Sequence, residues 1–439
     1  MWNFEQAEQY VASLLKFGIN LGLERVEDYL NKSGYPWGSI KFIHVGGTNG
    51  KGSTAAMIAG ILTHAGYRVG LYTSPHINNY CDRISIDGQN IRPGQFAELA
   101  EEIAGETEGV SRDARLTEFE FLTVLAFKFF NREGVDAAVI EVGMGGRFDA
   151  TNVIPAPELS VITNISKDHT QYLGYSELDI AGEKAGIIKP NGCLVTAEQS
   201  PEIRSMFWRK CCELGSDFFV VGDEITWRQG PMVFSKEGIV QECCLKGSLF
   251  ELNSLGLPLI GQHQIINACT ALLGAQVLRE KGLSISQQDV RWGLENANLP
   301  GRIEVLNRKP LVILDAAHNT AGISALRDTI FRIAGEGRLI LVTGVLDDKE
   351  QDRIAALWGD FPSRVIVTRP ENADRSRSWE QLAHYFSRYL DSVCLIESID
   401  EAVACGWDFT GNEDVLCVSG SFYLLKRSRH KLHALIEKI

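Results

Sequence analysis

The sequence predicts an α/β protein built of two domains, and three observations predict it. At about 150 residues per domain, a chain of 439 residues is too long for one. Short β-branched or aliphatic runs alternate with helices of about 12–15 residues over most of the chain, which marks parallel βαβ units. The alternation breaks once into short apolar/polar runs, then restarts after a turn-rich stretch, Asn298-Leu299-Pro300-Gly301. The expected domains are residues 1–298, a mostly parallel sheet with a small antiparallel β region, and residues 299–439, a smaller Rossmann-like α/β unit.

Residues 4–17 repeat apolar positions at helical spacing, and a second helix is expected near 23–31. A strand over 40–46 follows, then helix 52–65, strand 68–73, helix 117–132 and strands 136–142 and 159–163. Helix 177–188 has Ser176 placed to cap it and Pro190 to stop it. Residues 216–260 alternate apolar and polar residues and suit antiparallel hairpins. Helices are expected at 263–281 and 286–296. Beyond the break, strands are expected near 311–315, 338–344, 363–368 and 414–419, with helices between them.

Composition excludes several classes. The chain carries 43 basic and 56 acidic residues, a net charge of −13, which suits neither nucleic acid nor an anionic membrane. It has no apolar run of ~18 residues that would span a bilayer. The start, MWNFEQAEQY, is acidic and does not suit a secretory signal. The 10 cysteines include no C-x-x-C, so neither a zinc site nor a thioredoxin-like motif is indicated. They are expected to be reduced thiols in a cytoplasm. The pairs Cys211–Cys212 and Cys243–Cys244, with Trp227, are expected to serve packing or surface roles. The basic run from Lys426 to Lys431 is expected to be a solvated helix face.

The chemistry begins at His44-Val45-Gly46-Gly47-Thr48-Asn49-Gly50-Lys51-Gly52-Ser53-Thr54, between an apolar strand and a helix. Glycines let successive N–H groups turn toward one anion. The helix N-terminus adds positive potential and Lys51 a full charge. The strict pattern G-x-x-x-x-G-K-[ST] is not met, because residue 45 is Val and Gly52 follows the lysine. Strand-to-helix context still makes this a nucleotide-phosphate loop, and a guanine-specific N-K-x-D is absent.

Strand 136–142 ends in Glu141, at the carboxyl edge of the sheet where open α/β folds bind ligands. Ser74 and His76 follow strand 68–73, and Thr163 to His169 follow the next strand. Ser74, Glu141 and His169 are therefore candidates to hold magnesium beside Lys51, although one imidazole is unusual for that ion. Singly, each is ordinarily a salt-bridged Glu, a capping Ser or a satisfied His. Lys184 in Gly182-Glu183-Lys184-Ala185-Gly186 reads by itself as a solvated helix lysine.

Taken together, these motifs resemble the folylpolyglutamate synthase/dihydrofolate synthase family of the Mur-type ATP-dependent amide ligase superfamily. The matching segments run in order over nearly the whole chain: L-G-L-E-R-V (21–26), the phosphate loop (44–54), G-L-Y-T-S-P-H (70–76), T-E-F-E-F (117–121), E-V-G-M-G-G-R-F-D-A-T-N (141–152), D-H-x-x-x-L-G (168–174), E-K-A-G-I-I-K (183–189), L-P-G-R (299–302), L-D-A-A-H-N (314–319), D-K-E (348–350) and G-S-F (420–422). Three residues depart from the family pattern without removing a proposed ligand: Gly46, Lys167 and Ala316. Lys167 adds a cation near the metal edge.

The resemblance implies roles residue by residue. Gly47, Thr48, Asn49, Gly50, Lys51, Gly52 and Ser53 would wrap the ATP phosphates. Asn267, Arg302 and Asp315 would also contact ATP. Ser74, Glu141 and His169 would ligate Mg2+, with K+ as a further monovalent cation. Lys184 matches a lysine that is carbamylated in the family, which would make it a metal-facing anion. The pterin side would meet Thr117, Glu118, Phe119 and Glu120 with Phe148, Asp149 and Ala150. His318 and Ser421 would meet the incoming L-glutamate. The catalytic set is thus Lys51, Lys184 and His318, and a monomer is implied.

The chemistry implied is amide formation between L-glutamate and the carboxylate of dihydropteroate or a reduced folate. Attack on the γ-phosphate of ATP turns that carboxylate into an acyl phosphate, and Lys51, magnesium and Arg302 offset the anionic repulsion. The glutamate amine then displaces phosphate. His318 is a candidate to accept or position a proton, and an imidazole near Asp315 can equally be structural. A peptidoglycan-precursor ligase would carry a UDP-sugar domain before the phosphate loop, for which 46 residues before Gly47 leave no room. A nucleotide-binding regulatory module without ligase activity would show no amino-acid-dependent ATP turnover. L-G-L-E-R-V and R-F-D-A-T-N lean toward a bifunctional enzyme over one that only extends folates.

Overall fold

The computed structural model describes residues 1–438 apart from 19, 35–37, 110, 112–113, 236–237 and 372–374. Its largest sheet has eight strands: β1 (Lys41–Gly46), β2 (Val69–Tyr72), β3 (Ile84–Ile86), β4 (Gln89–Asn90), β5 (Ala137–Glu141), β6 (Leu159–Ile162), β7 (Cys193–Thr196) and β8 (Asp217–Val220). They lie in the order β4-β3-β2-β5-β1-β6-β7-β8. At one edge β3 pairs antiparallel with both β2 and β4, and the other pairings are parallel.

The central strands are apolar throughout because helices cover both faces. Along β1, Phe42 faces a cluster with helices Phe4–Ser13, Pro93–Glu106 and Glu118–Glu133. Ile43 and Val45 face the opposite cluster, built on helices Lys51–His64 and Gln262–Glu280. This period-two alternation sandwiches the sheet. Chain connections leave β1 toward β2 and β5 on one side and β6 on the other. The ends of β1, β5 and β6 therefore surround one crevice.

β9 (Thr226–Ser235), β10 (Gly238–Lys246) and β11 (Glu251–Leu257) form a separate antiparallel sheet. The expected hairpins lie here, with the turn at 236–237 outside the described residues. The earlier run, 217–220, is a correction: it is β8, the parallel edge of the large sheet. A helical turn, Val221–Glu224, separates it from β9. Four apolar residues have too little periodicity to distinguish the two arrangements.

The C-terminal domain has six strands: β12 (Glu304–Arg308), β13 (Leu311–Leu314), β14 (Leu339–Thr343), β15 (Pro362–Val367), β16 (Val393–Leu395) and β17 (Val415–Ser419). Their order is β12-β13-β17-β14-β15-β16, with only β12 antiparallel. One of its core clusters includes Ile239 of β10, so the small antiparallel sheet packs on this domain. Helix 177–188 ends earlier than expected: Glu177–Lys184 is α-helical and Ala185–Ile187 is a 3-10 turn. Ser176 caps it in a reciprocal box with Asp179. No described helix is long and apolar enough to cross a membrane.

Candidate active site between the two domains

The phosphate loop is stitched to the segment after β6. The Thr48 hydroxyl donates to the Ser166 carbonyl at 3.0 Å and accepts from the Ser166 N–H at 3.1 Å. The Thr163 hydroxyl donates to the Asn49 carbonyl at 2.7 Å. Two glycines are required by this geometry. Gly47 has φ +140° and a Cβ there would lie 1.8 Å from Thr163 Oγ1; Gly50 has φ +87° and a Cβ would lie 2.3 Å from Asn267 Oδ1. Gly50 precedes helix Lys51–His64 with no side-chain cap, so first-turn N–H groups are left for an anion. Gly52 and Ser53 form that first turn.

Lys51 Nζ donates to the Thr48 carbonyl at 3.0 Å. Burial lowers its pKa, while Glu141 and Asp168 pull the other way. Glu141 is buried, and Ser74 N–H donates to its Oε2 at 2.9 Å. Burial raises its carboxyl pKa, opposed by Lys51 and the Ser74 bond. Ser74 and Glu141 are thus in contact. His169 takes a left-handed backbone, φ +49°, which turns the chain back after β6. Burial and the charges of Lys349, His318 and Lys51 outweigh Asp168 and lower its pKa to about 4. Ser74 and Glu141 meet beside the phosphate loop, which suits a small, hard cation that keeps some water, while His169 lies beside Asp168. No cluster of three His, Cys, Asp or Glu side chains suited to a metal stands among the described residues.

Lys184 is not a solvated helix lysine. It is buried, and its Nζ donates to the Gly47 carbonyl at 2.7 Å. Burial and the charge of Lys51 lower its pKa to about 7.

Across the crevice stand residues of the C-terminal domain. Asp315 is buried and accepts from the N–H groups of Ile303 and Ala317, at 2.8 and 2.7 Å. The Arg302 guanidinium lies 5.0 Å from the centre of the Phe422 ring. Ser421 caps helix Phe422–Ile436, its Oγ accepting from Tyr423 N–H at 3.2 Å. His318 Nδ1 donates to the Ala316 carbonyl at 2.8 Å, and its Nε2 lies 3.4 Å from Asp168 Oδ2. Both ring nitrogens face oxygens, so the ring as it stands suits positioning more than proton abstraction.

Sequence reasoning assigned no role to Asp168, Asn319 or Lys349, which join the domains. Lys349 Nζ lies 2.5 Å from Asp168 Oδ1, and Asn319 Nδ2 donates to Asp168 Oδ2 at 3.0 Å. Asn319 and Asn49 exchange side-chain hydrogen bonds of 3.1 and 3.2 Å. Their signal was present in D-H, H-N and D-K-E, but the partners are far apart in sequence.

Three expected acceptor-side segments also converge. Arg25 clasps Glu120 with bonds of 2.6 and 3.1 Å. Gly22 N–H donates to the Phe148 carbonyl at 3.5 Å. Phe119 covers Gly143, where a Cβ would lie 2.4 Å from the ring. Thr117 caps helix Glu118–Glu133. Within this group Phe148 is 46% exposed, whereas Asp149 and Ala150 are buried. Asp149 holds its own loop, accepting from the Met144 and Thr151 N–H groups at 2.8 and 3.0 Å. A cavity of about 490 Å³ runs along helix Lys51–His64 and includes Gly52, Ser74, His76, Glu141, Arg302 and Phe422 in its wall.

Comparisons with known proteins meet this geometry. Residues 45–275 match the Mur ligase middle domain, and residues 301–422 match the Mur ligase, glutamate ligase domain. A Bacillus subtilis dihydrofolate synthase/folylpolyglutamate synthase is 32% identical, with 98% of this chain and 99% of the relative covered. Among solved structures, Mycobacterium tuberculosis folylpolyglutamate synthase complexed with ADP and AMPPCP is 32% identical with a TM-score of 0.86, covering 98% of each chain. Escherichia coli FolC in complex with DHPP and ADP is 30% identical with a TM-score of 0.85, covering 99% of each chain. The chain belongs to the folylpolyglutamate synthase/dihydrofolate synthase family of Mur-type ATP-dependent ligases.

Proposed function

We propose that this enzyme joins L-glutamate to the carboxylate of dihydropteroate and of reduced folates, with ATP converted to ADP and phosphate. The observation that carries the reading is the meeting of the phosphate loop with Glu141 beside Gly52 on one side and, through Asn49, with Asn319 of the second domain on the other. The division of labour falls at residues 298 and 299.

Gly47 to Ser53 hold the ATP phosphates through backbone N–H groups and Lys51. Asn267 holds the nucleotide from the helix before the domain boundary, Arg302 from the boundary and Asp315 from the second domain. The acceptor's ring system lies among Thr117 to Glu120 and Phe148 to Ala150, and its carboxylate reaches toward the γ-phosphate. Phe148 is the exposed member of that set and Glu120 and Asp149 fix the walls. The acceptor carboxylate attacks the γ-phosphorus and ADP leaves, giving an acyl phosphate. Arg302 and Lys51 offset the charge that builds up. The glutamate amine, held near His318 and Ser421, attacks the acyl carbon, and phosphate leaves with the amide formed. Contact of the two domains around Asp168 excludes water from the acyl phosphate.

Ser74, Glu141 and His169 would hold Mg2+, which when bound supplies charge to the phosphate oxygens. Lys184, with its pKa near neutrality, has the free amine needed to add to CO2, forming a C–N bond and releasing one proton. The resulting carbamate would place a negative charge where the amine now meets Gly47.

ADP release with ATP, magnesium and L-glutamate, compared with dihydropteroate and tetrahydrofolate as acceptors, tests this reading. Turnover with both establishes the bifunctional ligase. Turnover with tetrahydrofolate alone makes it an extension enzyme. Glutamate-independent hydrolysis, or none with either acceptor, removes the ligase reading.

A further inference from the structure

His44 opens the phosphate-loop motif but has no role in the chemistry above. It is fully buried, on the β1 face that it shares with Phe42. Its Nε2 lies 2.8 Å from Thr151 Oγ1, and the Thr151 hydroxyl donates to Asp149 Oδ1 at 2.6 Å. A hydroxyl has one proton, and here it goes to the carboxylate. Thr151 Oγ1 must therefore accept from His44, so the ring proton sits on Nε2. Nδ1 is then a bare nitrogen, buried with no hydrogen-bond partner among the described residues. A buried acceptor without a donor costs stability, and an apolar side chain on this strand face would avoid that cost. What the imidazole gains in return is its N–H to Thr151.

The chain from His44 ends at the hub of a loop. Asp149 accepts from the Met144 N–H, the Thr151 N–H and the Thr151 hydroxyl, at 2.8, 3.0 and 2.6 Å. These donors occupy most of its lone pairs, and the same carboxylate caps the 3-10 turn Ala150–Val153. Asp149 is thus committed to shaping its own loop, and the exposed Phe148 beside it is left to meet a ligand. β1 is held on both sides by β5 and β6. Gly143 to Asp149 pair with no strand among the described residues. Beyond the turn, Asn152 anchors the chain separately, its Nδ2 donating to the Gly186 carbonyl at 3.1 Å. When the chain from His44 is cut, the loop before the turn is therefore the part that moves, and the strand stays.

We infer that His44 is a positioning residue for the acceptor: through Thr151 it fixes the Asp149 carboxylate, and with it the loop that presents Phe148 to the acceptor ring. The His44 N–H sets which way the Thr151 hydroxyl points, and the hydroxyl holds Asp149 Oδ1 against its backbone donors. β1 ends at Gly46, two residues after His44, and the phosphate loop begins there. One strand thus carries both the phosphate loop and the support of the acceptor loop, which holds the two reactants in one frame. The inference rests on the acceptor ring lying at Phe148 to Ala150.

The test compares His44→Leu, His44→Gln and Thr151→Val with the parent enzyme, varying acceptor, ATP and glutamate in turn. Leu fills the space without a donor, and Gln places an amide N–H near the position of Nε2. His44→Leu and Thr151→Val should each raise the acceptor KM about fivefold or more, with the KM values for ATP and glutamate within about twofold. His44→Gln should recover most of the loss. Combining His44→Leu with Thr151→Val should cost little more than either change alone, because both cut one chain. Long-range 1H–15N correlation on 15N-histidine-labelled parent enzyme should show a proton on Nε2 for the ring whose signals His44→Gln lacks. If His44→Leu does not fold, Thr151→Val, the Gln variant and the tautomer decide. An unchanged acceptor KM, equal shifts in all three KM values, additive losses in the double variant, a Gln variant no better than Leu, or a proton on Nδ1 would each overturn the inference. Failure of the parent enzyme to turn over acceptor would instead remove the ligase reading beneath it, and an acceptor KM unchanged in Phe148→Ala would remove the acceptor-site reading.

Discussion

Lys349 and Asp168 form a buried ion pair across the two domains, with Nζ 2.5 Å from Oδ1. The aspartate lies one residue before His169 and also receives Asn319 and His318. Burial alone would raise its carboxyl pKa, but His318, His169 and Lys349 hold it well below the usual carboxylate range. Domain contact and site assembly therefore depend on the same carboxylate.

Breaking one side of this pair leaves a buried charge behind. Lys349→Met should destabilise the protein by roughly 3 kcal/mol in chemical denaturation. Adding Asp168→Asn should restore at least about 1 kcal/mol, because the uncompensated charge is gone. Strictly additive losses would show that the two residues do not act as a pair.

Gly50→Ala should raise the KM for ATP by at least about tenfold. A methyl group there meets Asn267 Oδ1 at 2.3 Å on a backbone with φ +87°. The collision displaces the loop and the helix start together. Nucleotide titration of the variant checks this, and an unchanged affinity would mean that the loop does not hold the phosphates.

Carbamylation of Lys184 requires the neutral amine. With a pKa lowered to about 7, that form grows as pH rises from 6 to 8. Activity after CO2 depletion should fall and return with bicarbonate, with recovery faster at pH 8 than at pH 6. Enzyme incubated with 13C-bicarbonate should give a carbamate carbon signal that Lys184→Ala lacks. A signal of equal size in Lys184→Ala would place the modification elsewhere.

His44 should make the fold sensitive to acid. It is fully buried, its Nε2 is 2.8 Å from Thr151 Oγ1, and burial lowers its pKa to about 3. Between the unfolded value of about 6.5 and the folded value near 3, the unfolded chain binds more protons than the folded one. Stability is therefore fully present above pH 6.5 and declines as pH falls toward 3, by at most about 5 kcal/mol from this group. His44→Gln should flatten that part of the stability profile, and an unaltered acid slope would assign it to other groups.

Much of the site was legible in local pattern. Glu141 ends an apolar strand, the glycines sit between strand and helix, and Ser176 precedes its helix with Asp179 three residues on. Helix Pro93–Glu106 was not read, because Pro93 and Gly94 open it and look like a turn. β7 and β12 were missed because four or five residues carry little periodicity. The placement of Lys184 against Gly47, 137 residues away, and of Lys349 against Asp168, 181 residues away, comes from tertiary docking that no local spacing encodes.

The measurement that bears most directly on the chemistry is isotope transfer from the acceptor. Dihydropteroate carrying 18O in its carboxylate would be turned over with ATP, magnesium and L-glutamate, and the released phosphate analysed by mass. Acyl-phosphate chemistry predicts one 18O from the carboxylate in each phosphate formed. Unlabelled phosphate accompanying amide formation would contradict that route.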